Sequence, residues 1–263
     1  MRSRAFVALS LCLLLAGNGL SRAEPPPLPD AERAQLEERL QTQLAAASRV
    51  IEAEPEQLAG WSSRGDARFF LGDFDGAVAD YSRMVELTPS VDASHWRRGI
   101  AYFYADQFEK AAGQFERYHS FDNVDRENGI WRYLSQHKAY GREKAREGLL
   151  KYEKDDRQPF PDVYRLFAGK ITPEEILANI AAADVSDNER DKRLFYAHLY
   201  IGLNHAVEGD KTAARTHLAK AVSNTWPRRA GYGPNYMWHV ARLHYDQLAT
   251  PAGRRSQPGE PGT

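Results

Sequence analysis

Five positions along this chain recur at one constant offset of 34 residues. They are Pro55 and Pro89, Arg64 and Arg98, Gly65 and Gly99, Ala77 and Ala111, and Tyr81 with the aromatic Phe115. A fixed period of this length constrains the fold more than composition does. It marks a supersecondary unit that cannot bury its apolar face alone and must stack on its neighbours. Within one period the residues read as two helices joined at Gly72-Asp73. Gly65 and Ala77 are small where paired backbones have to approach, and Trp61 and Tyr81 fill the space beside them. The expectation is an all-α fold.

The residues that carry the period also carry a family pattern. Trp61, Gly65, Gly72, Phe74, Ala77, Tyr81 and Pro89 supply an aromatic, a small residue, a turn glycine, an aromatic, an alanine, an aromatic and a proline at the tetratricopeptide-repeat spacing. The chain is therefore similar to that family. The resemblance implies a right-handed solenoid of helix pairs with a degenerate, inserted middle section and a C-terminal capping helix. The expected layout is a single domain over residues 30–250. It comprises a leading helix at 30–54, repeats at 56–91 and 92–125, and a degenerate pair at 126–151. An insertion at 152–193, a repeat at 194–227 and a capping helix at 235–249 follow.

Local signals support those limits. Asp30 offers an N-cap, and Leu36, Leu40, Leu44, Ala47 and Ile51 form one apolar stripe before Pro55 stops the helix. In the insertion, Phe160 to Ala168 reads as a short helix. Thr172-Pro173-Glu174-Glu175 is a capping box that starts another, running through Ala183. Register returns at Leu199-Tyr200-Ile201-Gly202 and continues through Gly209, Ala214, Leu218 and Ala221. Met237, Val240, Ala241, His244 and Leu248 give the last helix one apolar face.

The ends read differently. Arg2 and Arg4, the apolar run Ala5 to Ala16 and the small residues around Ser21-Arg22-Ala23 make residues 1–23 a secretory signal cleaved before Glu24. A proline-rich linker at 24–29 follows, and the Gly- and Pro-rich tail at 251–263 reads as disordered. Cys12, the one cysteine, is preceded by Leu11 and falls within the signal, so the mature chain has no thiol chemistry and no lipid attachment site. Removing Arg2, Arg4 and Arg22 from the 35 basic residues leaves 32 against 36 acidic ones, a balance of −4. A nucleic-acid binder needs a basic excess instead. No other segment is apolar enough for stable membrane insertion.

Chemistry-bearing motifs are absent from the sequence: no phosphate loop, no G-x-S-x-G elbow and no H-E-x-x-H. His198 and His205 are seven apart and His239 and His244 five apart, neither the spacing of a helical metal pair, so they read as packing histidines. Glu37-Glu38 and Asp155-Asp156 are adjacent, point apart and read as solvated pairs. Neither a cofactor nor a metal is expected.

The strongest functional signal is aromatic. In the resembled family the first helix of each pair lines a concave groove. Phe69 and Phe70 of the first repeat, and Trp96, Phe103 and Tyr104 of the second, are the expected partner-binding residues, with packing as the competing account of each. Ser62, Asp66, Trp96 and Ile100 stand where repeats that clamp a carboxylate carry basic side chains, so an apolar or aromatic peptide is the expected guest. Arg98-Gly99-Ile100-Ala101-Tyr102-Phe103-Tyr104, Trp131-Arg132-Tyr133-Leu134 and the short inserted helices also resemble bacterial periplasmic tetratricopeptide lipoproteins that dock cell-wall hydrolases and a processing protease. Their lipidated cysteine is missing here. The expected function is a non-enzymatic periplasmic or secreted scaffold for protein or peptide partners, envelope enzymes among them. The alternatives are a cell-wall or glycan hydrolase using the 152–193 insertion and a structural module that self-assembles into a homo-oligomer.

Overall fold

The structure is a computed structural model that describes residues 27–154 and 156–249. The expected signal, the start of the expected linker, Asp155 and the expected tail lie outside the described residues. Those residues form twelve α-helices and two 3-10 turns, with no strand among them. The chain is all-α.

The first five helices are α1 (Asp30–Ala53), α2 (Leu58–Leu71), α3 (Phe74–Leu87), α4 (Trp96–Tyr104) and α5 (Phe108–Phe121). Each packs on the next. Asp30 does not cap α1. It sits inside the first turn with Glu32, where both carboxylates favour the positive end of the helix. Gly72 ends α2 in the left-handed region at φ +89°, and Asp73 then caps α3 by accepting from the Gly76 amide. At the same point one period later, Asp106 takes the left-handed position at φ +57°.

Three helix pairs share one close contact at an offset of 16 residues. A Cβ on Gly65 would lie 2.6 Å from Tyr81, one on Gly99 2.6 Å from Phe115, and one on Gly202 2.7 Å from Leu218. The helices of the last pair are α10 (Asp187–Val207) and α11 (Lys211–Ser223). A polar contact shares that offset: the Arg64 guanidinium donates to Asp80 at 2.8 and 2.9 Å, and Arg98 to Gln114 at 2.6 and 3.0 Å.

The pattern breaks between these pairs for a visible reason. α6 (Arg126–Tyr140) is followed only by the six-residue α7 (Arg142–Glu147). The missing partner surface comes instead from Tyr152 and from Tyr164 of α8 (Phe160–Phe167), which crowd Gly129 as Tyr81 crowds Gly65. α9 (Pro173–Ala182) starts with the expected capping box, Thr172 and Glu175 bonding each other's amides. α10 begins at Asp187, ahead of the expected repeat start at 194, because Ser186 caps it.

The last helix, α12 (Tyr232–Ala249), packs on α11 and also reaches back to α2. It buries every residue from Tyr236 to Leu243, more than the single apolar face of a terminal cap. This placement corrects the expectation of an open groove. Phe69 stacks on Tyr236 at 5.1 Å between ring centroids, and Phe70 lies parallel to His239 at 3.8 Å. Tyr104 Oη is 3.1 Å from His244 Nδ1, and Phe103 packs edge-on against Trp131. All four are buried core residues: rings of α12 cover Phe69, Phe70 and Tyr104, and Trp131 of α6 covers Phe103. Trp96 alone of the five stays half-buried.

Candidate functional site

Beyond the region that α12 fills lies a cavity of about 400 Å³. Its walls come chiefly from the first helices of successive pairs, and α4 packs on α6 and α6 on α10. Each contributes residues one turn apart: Trp96 and Ile100 from α4, Glu127 and Trp131 from α6, Lys192 and Tyr196 from α10. Side chains at i and i+4 share a face, so this spacing turns one stripe of each helix inward. Phe115 and Tyr118 of α5 and Trp226 after α11 add further rings, and Pro234 and Met237 of α12 complete the enclosure.

A clamp holds the start of α12 in place. Asp66, buried on α2, accepts from Tyr81 Oη at 2.7 Å, from Arg97 Nη1 at 2.8 Å and from Tyr232 Oη at 2.6 Å. Tyr232 immediately precedes the part of α12 that lines the cavity. Asp66, which stands in the sequence where carboxylate-clamping repeats carry a basic side chain, therefore fixes one wall of the site.

Charge is concentrated on another part of the wall. Arg157, from the insertion, donates to Glu127 Oε2 at 2.5 Å and pairs with Asp156 Oδ1 at 3.1 Å and Asp125 Oδ1 at 3.5 Å. Its guanidinium sits 4.2 Å from the centroid of the Phe160 ring. Tyr200 Oη donates to Glu127 Oε1. Asp125 Oδ1 also caps α6 by accepting from the Glu127 amide at 3.0 Å.

Three carboxylates thus share one guanidinium in a poorly solvated place. Burial pushes the Glu127 carboxyl up to about 7, with Arg157 opposing and Asp125 adding to the shift. Burial raises Asp125 as well, again against Arg157. Lys192 also lines the cavity, and its ammonium is 2.7 Å from Glu189 Oε2.

The histidines form a separate cluster. His198 Nδ1 lies 3.0 Å from His217 Nδ1, and burial holds both imidazoles down to about 4. Among the described residues no group of three or more His, Cys, Asp or Glu side chains is arranged to hold a metal ion. Nor is any helix there long and apolar enough to cross a membrane.

Of the five expected groove residues, the cavity includes Trp96 and none of Phe69, Phe70, Phe103 and Tyr104. Sequence reasoning missed Glu127, Arg157, Tyr196 and Trp226 as site residues. A usable signal existed in the i, i+4 pairs of α6 and α10, but it sits where the 34-residue register is lost. The chain matches no model of a known protein family, and no curated protein either.

Proposed function

We propose that this chain is an exported, non-enzymatic tetratricopeptide-type scaffold, periplasmic or secreted, that seats a segment of a partner protein in the cavity between its first helices and α12. The carrying observation is the cavity itself. Trp96, Phe115, Tyr118, Trp131, Tyr196 and Trp226 surround it, and aromatic anchoring of this kind dominates protein recognition. The repeated 16-residue contact in three helix pairs supports the solenoid reading, in which α4, α6 and α10 form the inner surface. The groove expected from sequence is then kept but displaced, because α12 occupies its first two repeats.

The test is capture from an envelope extract through a photo-crosslinking residue placed at Tyr118, with and without Trp96→Ala. Trp96 is half-buried and packs edge-on against Tyr236, so truncation should lower the melting temperature. Compared at a temperature where both proteins are folded, capture should weaken about 30-fold, the equivalent of ~2 kcal/mol at an anchor. Undiminished capture by Trp96→Ala would remove the cavity from the binding surface.

One observation favours the hydrolase alternative. Glu127 is a carboxyl raised to about 7 in an aromatic cavity, the poise of a general acid. Against it, Tyr200 and Arg157 engage both Glu127 oxygens. A hydrolase would lose glycan turnover in Glu127→Gln, whereas a scaffold has no turnover to lose.

A further inference from the structure

The cavity has room for a guest, and its charge says which kind. Both cations on its wall are committed: Arg157 to three carboxylates, Lys192 to Glu189. Neither is left over for an anion. The carboxylates are in the opposite position. Asp125, Glu127 and Asp156 share Arg157, and the burial that raises Asp125 and Glu127 is a cost that a second cation would relieve. Asp125 is the member placed to receive one. Its Oδ1 serves the α6 cap and Arg157, its side chain is 22% exposed, and it lines the cavity. Its Oδ2 retains acceptor capacity.

The remaining wall suits the rest of such a guest. Trp96, Tyr118, Tyr196 and Trp226 present aromatic rings, which attract a cation through their faces and pack against the methylenes of a long side chain. The protein already uses this chemistry on itself, since Arg157 lies over Phe160 and 5.9 Å from the Tyr196 ring centroid. A volume of about 400 Å³ lies in the range of small-ligand sites, enough for one extended side chain and part of its neighbour.

We propose that the cavity takes a cationic side chain, lysine or arginine, of a partner polypeptide, with Asp125 as its counter-ion and the aromatic wall around its methylenes. This rests on the binding role assigned to the cavity above. Apolar residues flank the cation in the partner, and acidic peptides are rejected.

The experiment uses the full chain and five blocked tripeptides: Leu-Arg-Leu, Leu-Lys-Leu, Leu-citrulline-Leu, Leu-Glu-Leu and Leu-Leu-Leu. Citrulline keeps the shape of arginine without its charge. Binding is read by calorimetry and by tryptophan fluorescence, since Trp96, Trp131 and Trp226 all line the cavity. The arginine or lysine peptide should bind at least tenfold more tightly than the citrulline and glutamate peptides. Asp125→Asn should erase that preference, and asparagine at this position still caps α6. Equal affinities for arginine and citrulline in the wild-type chain would overturn the proposal without any variant, and so would a preference that survives Asp125→Asn. Tight binding of Leu-Leu-Leu alone would sink the cationic guest but keep the binding role. If no tripeptide binds at millimolar concentration, the cationic guest falls. The binding role falls with it only when the Tyr118 crosslinker also captures nothing.

Discussion

Glu127 and the buried histidines respond to pH in opposite senses, which allows their contributions to be separated. Burial pushes His95 down to about 3 and His244 to about 4, and it lowers His239, stacked on Phe70, well below its usual value. A histidine depressed in the fold contributes stability above about 6.5, and that stability is lost as pH falls toward 4. Glu127 is raised from 4.5 to about 7, so its contribution is fully present below 4.5 and disappears as pH rises through 7. Denaturation of wild type and Glu127→Gln at pH 5 and pH 8 should therefore show the variant gaining on wild type at the higher pH. The expected change is about 1–3 kcal/mol, and working with the difference cancels the histidines. An identical difference at both pH values would mean that Glu127 is not held in its neutral form. This carboxylate could not be picked out from sequence. Its partner Arg157 is 30 residues away in the insertion, and neither lies within the two repeats whose register the prolines and glycines fix.

At the scale of the helix, small residues decide which pairs form. The glycine of the first helix meets the aromatic or leucine 16 positions on, and the 34-residue offset exposes two of the three instances directly. Gly99→Leu should overpack the contact with Phe115, where even a Cβ would come within 2.6 Å, and cost about 1–3 kcal/mol. Melting at the wild-type temperature would show that Phe115 can move aside freely. The capping box at Thr172 and the short helices of the insertion were legible for a similar reason, since caps and breakers act within one turn. The partner of α6 was not legible. Sequence suggests a second helix for the 126–151 pair, whereas α7 is only six residues long and Tyr152 and Tyr164 cover Gly129 instead. Periodicity identifies an apolar face without identifying the surface it meets.

The same limit explains the groove at the scale of the whole molecule. Phe69, Phe70 and Tyr104 read from sequence as groove-facing aromatics and the last helix as a terminal cap, yet in the fold these three meet α12 across most of the chain. Arg242 donates to the Phe70 carbonyl at 2.6 Å across 172 residues, and Arg33 pairs with Asp246 at 2.6 Å across 213. An open stack of repeats has only nearest-neighbour interfaces, so damage at one end stays there. Here α12 ties α11 to α1 and α2, and the first and last helices should lose protection together. Phe70→Ala removes a ring packed between Tyr236 and His239, at an expected cost of about 3–5 kcal/mol. Hydrogen exchange on this variant should show faster amide exchange in α12 as well as in α2, while the contact between Gly202 and Leu218 keeps α10 and α11 comparatively protected. Exchange accelerated only in α1 to α3 would mean that the return of α12 carries little energy. The cavity would then have a loosely held wall, and a partner could displace α12 to reach Phe69 and Phe70.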